Sequence, residues 1–483
     1  MPHMGQVLPW TEGRGRLDGI VTMLRAARAG LNVAWQSEGL NFGESSAISA
    51  LLHDLGLATV KLADSQSEQL PIVPPRIVLL AGSSSGYPYA AYYAHCLWSL
   101  GLSFVATDAR GLAAGALREA DLLVIPGGFS TWGLDRAEDA PGADAEVRWF
   151  LDVGGAVIGS CGGAFYLSSG RLGWQGSTGV KPTFTHEYLL TGAALLNVHL
   201  EDQRLATGLT PDVEIPYYHG PVWPAAGHNA PALATFSGLA CPSRLFIDNP
   251  LQAHRFEREM SGRPAVLAPE GAHRAVLFSP HPEMGDLLRK WIALDGYVRK
   301  YLPIRGPKVM QETLRFYCPD DSQAFRLVLN AMERLGTFSY TRRNTEHSRT
   351  ADHALARRAI DRLRSVIDAE FRKLIAEAAA QRDEPWSQLV ADEAERVRGE
   401  AQTVFARLDR ALDGLGPEAD PQTVGELIRL SGEAHQAVRR PAGAPIIERM
   451  SFLELPVRLA SAAARLLEAD AAVRAALAEA SAA

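Results

Sequence analysis

The sequence predicts an α/β fold, a doubly wound and mostly parallel sheet, followed by an α-helical C-terminal domain. Three observations predict it. From Arg76 onward, short apolar runs alternate with helical segments and close on glycines: "RIVLLAG", a helix through "YPYAAYYAHCLWSLG", "SFVATDA", a short helix, "DLLVIPGG" and "GGAVIGS". Strands spaced this way call for βαβ crossovers, which make a parallel sheet covered on both faces. The residues able to do chemistry fall where these strands end, the edge at which doubly wound sheets bind ligands. After "YLPIRGPK" the character changes to amphipathic helices with short connections, which implies an antiparallel bundle.

The elements follow in order. "LNVAWQ", "ESSAISALLHDLG" and "ATVKLAD" read as a strand, helix and strand, with Gly56 stopping the helix, so residues 1–75 form an extension holding one βαβ unit. The prolines of "SQSEQLPIVPP" make a linker, because each fixes φ and removes a backbone donor. Residues 76–305 form the α/β domain. Within it, the Pro-, Gly- and Tyr-rich stretch from Gly176 to Gly271 reads as loops and short strands able to supply a lid. "RPAVLAPEGAHRAVLFSPHPE" then reads as two strands joined by a turn at Pro269, Glu270 and Gly271.

Residues 306–483 form the helical domain. Asp320 and Asp321 are placed to cap a helix over "SQAFRLVLNAMERLG" that stops at Gly336. Leu363, Ile367, Phe371, Leu374 and Ala378 recur at helical spacing, as do Val397, Val404, Leu408 and Ala411. Asp420 and Pro421 open a further helix, and an alanine-rich one ends the sequence.

Composition excludes several classes of function. With 483 residues, 47% hydrophobic and 21% charged, the chain has ample apolar surface for more than one core. A net charge of -7 supplies no positive field, so neither nucleic acid nor an anionic membrane surface is an expected partner. Cys96, Cys161, Cys241 and Cys318 are scattered, as suits a reducing compartment. The first thirty residues lack a secretory apolar core, and no run reaches the ~18 apolar residues of a membrane span. The cytoplasm is the expected location.

Cys161 in "VIGSCGGAFYLSSG" stands where a buried strand turns into a helix. A lone cysteine is usually a small buried apolar side chain. At a helix start, however, its thiolate is favoured by the dipole and unpaired amides, and Gly162 and Gly163 let a substrate approach. A thiol nucleophile needs a base. In "SPHPE", His281 ends a strand and Glu283 lies two residues on, on the same side of an extended chain, where a carboxylate can orient the imidazole. Gly127 and Gly128 of "VIPGGFS" end another strand and could join Gly162 in holding an oxyanion, although glycines also serve plain βα turns.

The order "IPGG", "GSCGGAF", "SPHPE" resembles the class I glutamine amidotransferase-like superfamily, over roughly Arg76 to Leu302. Within it, "SCGGAFY" and "PYYHGPVW" are most similar to the amino-terminal domain of eukaryotic-type biotin protein ligases. The resemblance implies a flavodoxin-like domain with Cys161 as nucleophile, His281 as general base, Glu283 as its orienting acid, and Gly128 and Gly162 as oxyanion donors. Gly127, Phe165, Tyr218 and His219 would contact a small amide or related carbonyl substrate. Glutamine-hydrolysing members commonly read Cys-x-Gly-x-Gln at this turn. Phe165 replaces that glutamine, which argues against free glutamine as substrate.

No motif calls for a cofactor or a metal. "HEYLL" at His186 lacks the second histidine of a zinc-protease helix, and no phosphate loop is present. His219 and His228 could contact substrate, although a surface loop histidine is the commoner case, and Trp132 and Tyr218 read equally well as pocket lining or as packing. No synthetase is recognised, so released ammonia would need an acceptor on another chain. Three readings remain: a cysteine hydrolase or amidotransferase; a silent scaffold whose helical tail docks a partner or a second copy; and a thiol redox sensor.

Overall fold

The computed structural model describes residues 5–10, 16–43, 45–62, 71–128, 140–168, 192–223, 231–245, 249–268, 274–338, 352–381, 387–439 and 445–482. Its first unit runs β1 (Gly5–Pro9), α1 (Arg16–Arg28), β2 (Ala34–Trp35), β3 (Gly39–Gly43), α2 (Ser46–Asp54) and β4 (Val60–Leu62). The sheet order is β2-β3-β1-β4 with every pair antiparallel. Strands β3 and β4 both oppose β1, so they run parallel to each other with β1 between them. This is a split βαβ arrangement, and it corrects the simple unit expected here. The strand entering α2 is "GLNFG" rather than "LNVAWQ". Its flanking glycines resemble turn signals, yet a Cβ on Gly39 would lie 2.1 Å from the Leu8 carbonyl oxygen, so a close strand approach requires that glycine.

The next elements are β5 (Ile77–Leu80), α3 (Tyr89–Ser99), β6 (Phe104–Thr107), α4 (Ala109–Ala113), β7 (Leu122–Ile125), α5 (Ala143–Asp152), β8 (Ala156–Ser160) and α6 (Gly162–Ser168). They are followed by β9 (Ala193–Leu200), β10 (Asp212–Tyr218), β11 (Ala232–Ser243), α7 (Ala253–Glu259), β12 (Pro264–Leu267) and β13 (Arg274–Phe278). One sheet contains them all, in the order β10-β9-β11-β12-β13-β8-β7-β5-β6. Strands β13, β8, β7, β5 and β6 pair in parallel. Counted along the chain, they give the doubly wound order 2-1-3-4-5. Every residue of β5, β7 and β8 is buried, the reason these strands read as unbroken apolar runs.

The other four strands are antiparallel: β12 is the strand expected in "RPAVLAP", while β9, β10 and β11 are longer than the short strands expected among loops between Gly176 and Gly271. Their glycines and prolines mislead for a physical reason. Pro216 lies on β10, the sheet edge, where a missing donor is tolerated, and β11 absorbs Gly238 near one of its register shifts.

The remaining helices are α8 (Gly285–Leu314), α9 (Ala324–Arg334), α10 (His353–Ala380), α11 (Ser387–Leu415), α12 (Pro421–Ala437) and α13 (Ile446–Ala482). Helix α8 is kinked at Gly306. The apolar stripes read from sequence on α10 and α11 are buried. Asp420 caps α12 by accepting from the Gln422 amide. Asp320 and Asp321 do not cap α9, whose N-cap is Gln323; Asp320 instead pairs with Arg458 at 2.9 Å.

Helix α13 packs on α3, α1 and α2, and α12 on β6. This packing explains why α3 has no polar face: the sheet covers one side and α13 the other. Buried polar links fasten the parts together. Arg25 on α1 holds Asp470 on α13 through two bonds of 2.5 and 2.7 Å, and Ser103 donates to Asp420 at 2.5 Å. Lys290 on α8 meets Glu454 on α13 and Glu393 on α11 at 2.5 and 3.0 Å. Burial alone would raise the Glu454 carboxyl, but Lys290 and Arg458 hold it below the usual range.

Candidate active site

Strand β8 ends at Ser160, and Cys161 takes φ 47°, a left-handed conformation that is strained for a cysteine, before α6 begins at Gly162. Two backbone bonds hold the turn: Cys161 N–H donates to the Phe278 carbonyl at 2.9 Å, and Phe165 N–H to the Cys161 carbonyl at 2.8 Å. The thiol therefore projects from the end of β8 while its backbone is tied to β13.

His281 and Glu283 follow β13, and both are fully buried. The His281 amide donates to the Pro216 carbonyl on β10 at 2.8 Å, and its Nδ1 meets Glu283 Oε1 at 2.7 Å. The route differs from the extended segment expected. Pro282–Met284 is a short 3₁₀ turn, because proline fixes the φ of its first residue, and that turn brings the carboxylate back to the ring.

Imidazole and cysteine converge over the end of β7. A Cβ on Gly127 would lie 2.6 Å from His281 Cε1 and 3.2 Å from Cys161 Cβ, so any side chain there would intrude between them. Gly128 follows at φ 106°, and Gly162 starts α6 on the other side of the cysteine. Phe165 is half-buried on α6.

The electrostatics favour charge on the ring. Burial by itself would lower the His281 pKa, but the Glu283 carboxylate and the Cys161 sulfur raise it to about 10. Cys161 Sγ donates to the Tyr218 carbonyl at 3.2 Å, and the same sulfur is close enough to the His281 ring to help raise its pKa. Cys161 is 4% exposed.

Tyr218 closes β10, and His219 follows in the left-handed region at φ 53°, with the two rings 4.8 Å apart. Thus Cys161, His281, Glu283, Gly127, Gly128, Gly162, Phe165, Tyr218 and His219 all lie at the carboxyl edge of the sheet or on the antiparallel strand beside it. Trp132, His186, His228 and the turn at Pro269 to Gly271 lie outside the described residues. Among the described residues, no group of three His, Cys, Asp or Glu side chains is disposed to hold a metal.

Sequence reasoning missed the supporting residues. The Tyr89 ring stacks on His281 at 6.1 Å, Ser85 Oγ donates to the Gly127 carbonyl at 3.4 Å, and Tyr93 is hydrogen-bonded to Ser160. The aromatic cluster in "YPYAAYY", directly after β5, was the available signal. The tail also reaches this wall, since Phe452 of α13 packs on Tyr87 at 6.2 Å.

Residues 102–217 match the family model of the CobB/CobQ-like glutamine amidotransferase domain, a segment that includes Cys161 and stops before His281. The matched segment of the α/β domain is glutamine amidotransferase-like. No curated protein sequence matches the chain. Among solved structures, the chain is similar to a glutamine amidotransferase from Thermotoga maritima at 14% identity and TM-score 0.32, covering 55% of this chain and 98% of that one. It is also similar to a glutamine amidotransferase from Methylobacillus flagellatus at 14% identity and TM-score 0.31, covering 57% and 100%. Among the described residues, no helix is long and apolar enough to cross a membrane.

Proposed function

We propose that the amidotransferase-like domain is a cysteine-dependent hydrolase or amidotransferase for a small amide or related carbonyl compound. One observation carries this reading: His281, held by Glu283 at 2.7 Å, meets Cys161 beside a position that only glycine can occupy.

In the proposed reaction, the Cys161 proton rests on His281 as the imidazolium that the raised pKa favours, and the thiolate sulfur attacks the amide carbon. Glu283 stabilises the imidazolium that results. The amides of Gly128 and Gly162 receive the oxyanion. Collapse breaks the C–N bond, His281 returns the proton to the leaving nitrogen, and a thioester remains. Water then adds to the thioester, giving a carboxylic acid and the free thiol. Ammonia released in this way would pass to an acceptor, either a small molecule or a partner protein. Phe165 and Tyr218 would shape the pocket, in the manner expected of a relative of the biotin protein ligase amino-terminal domain.

A test uses iodoacetamide at neutral pH with peptide mass readout. Cys161 should alkylate faster than the half-exposed Cys318, and L-glutamine should release little ammonia compared with other primary amides. Equal or slower labelling of Cys161 removes the activated thiol from the account.

A second reading, that of a silent scaffold whose tail docks a partner, is favoured by one observation: Cys161 is only 4% exposed, with its Sγ 3.2 Å from the Tyr218 carbonyl. It expects Cys161→Ala to leave cellular function intact, while truncation after Gly306 abolishes it.

A further inference from the structure

His219 stands out from the other buried side chains of this edge. It is 1% exposed, it adopts a backbone conformation unfavourable for its type, and it lies directly after the residue whose carbonyl receives the Cys161 thiol. Its Nδ1 accepts the Gly192 amide proton at 3.2 Å. A backbone N–H can only donate, so Nδ1 must carry a lone pair, and the ring proton is confined to Nε2. That Nε2 has no hydrogen-bond partner among the described residues. Burial, Arg255 and His281 lower the His219 pKa to about 4, so the ring is uncharged at neutral pH. A buried N–H without an acceptor is unfavourable by more than an ordinary hydrogen bond is worth, and groups kept in that condition are disproportionately found where a ligand completes them.

We propose that His219 is a second, permanently neutral imidazole of the site, whose Nε2–H donates to a carbonyl or carboxyl oxygen of the substrate. The two histidines then divide the work. His281 exchanges a proton with sulfur, whereas His219 keeps its proton and supplies a fixed dipole. This inference rests on the reading of Cys161 as nucleophile, and it confines the substrates to compounds presenting an oxygen acceptor near the sulfur. An uncharged donor suits that role, because it polarises a carbonyl without competing with His281 for the proton.

Two experiments on the full chain test the proposal. Histidine-selective ¹⁵N NMR of Cys161→Ala should show His219 protonated at Nε2 alone from pH 7 to pH 5, with a resonance that shifts on addition of acetamide. In protein with its native Cys161, the ratio of alkylation rates for iodoacetamide over iodoethane, which lacks the carbonyl, should fall about tenfold in His219→Gly, the effect of one lost hydrogen bond. Added imidazole should restore part of that ratio. Glycine suits the left-handed backbone, so this variant retains the fold, as circular dichroism would verify. A proton on Nδ1, no response to acetamide, or an unchanged ratio each overturns the assignment. A sluggish Cys161 with a responsive His219 would instead defeat the nucleophile and spare the donor.

Discussion

Two buried polar clusters, one among the helices and one at the cysteine, are built on contrary principles. In the junction between α8, α11 and α13, every charge has several partners. Lys290 meets Glu454 and Glu393, Arg458 meets Glu454, Glu400 and Asp320 at 2.5 to 2.9 Å, and Trp291 donates to Glu454 at 2.8 Å. A cavity of about 410 Å³ adjoins them, lined by charges already committed to one another. At the cysteine site the pattern reverses. His281 Nε2, His219 Nε2 and Glu283 Oε2 have no hydrogen-bond partner among the described residues, and two non-glycine residues hold left-handed backbones. A densely paired network, in which Asp320 Oδ1 is still without a hydrogen bond, fixes how helices meet, while a sparsely paired and strained one keeps valences for something else.

The comparison can be broken from either side. The largest expected effect is that of Cys161→Ala, which should remove turnover of any amide substrate by at least about 10³-fold while leaving the denaturation midpoint nearly unchanged. Next is Glu454→Ala. It leaves Lys290 with Glu393 alone and takes one of three carboxylates from Arg458, and should destabilise the fold by about 3 kcal/mol in urea denaturation, with no specific effect on Cys161 reactivity before unfolding. If Glu454→Ala proved neutral, the junction would not be structural. Gly127→Ala sharpens the contrast: displacement of the His281 ring should slow Cys161 alkylation about 10²-fold, with a small change in thermal midpoint.

The smallest effect concerns pH. His281 has a pKa raised from 6.5 to about 10, so its contribution to stability is complete below pH 6.5 and is lost as pH rises through 10. The thermal midpoint should therefore drop by a few degrees over that interval, and by less in His281→Gln. An identical drop in both proteins would place the titration elsewhere.

How much of this was readable depends on whether the signal was local. The parallel strands were legible because burial on both faces leaves continuous apolar runs such as Leu122–Ile125, and the apolar stripes of α10 and α11 followed the 3.6-residue period. Cys161, His281 and Glu283 were singled out from their position at strand ends, and His281 and Glu283 do lie within hydrogen-bond distance of each other. Of the antiparallel strands, β12 was legible, but β10 and β11 were read only as short strands among loops, because an edge location and register shifts permit Pro216 and Gly238 inside them. Tyr89, Ser85 and Phe452 escaped notice because their roles come from tertiary proximity, which no spacing encodes. The exchange of Asp320 from a helix cap to an ion pair with Arg458 has the same cause, since its partner is 138 residues away.

The pairing of Arg25 with Asp470 spans 445 residues. At translation rates of about 5–20 residues per second, the side chain made first waits roughly 20–90 s on the ribosome for its counterpart. During that interval the face of α1 that α13 will cover stays open to solvent, and α3 lacks its outer layer. Nascent chains halted before α13 emerges should accordingly bind general chaperones, and release from them should coincide with completion of the last helix.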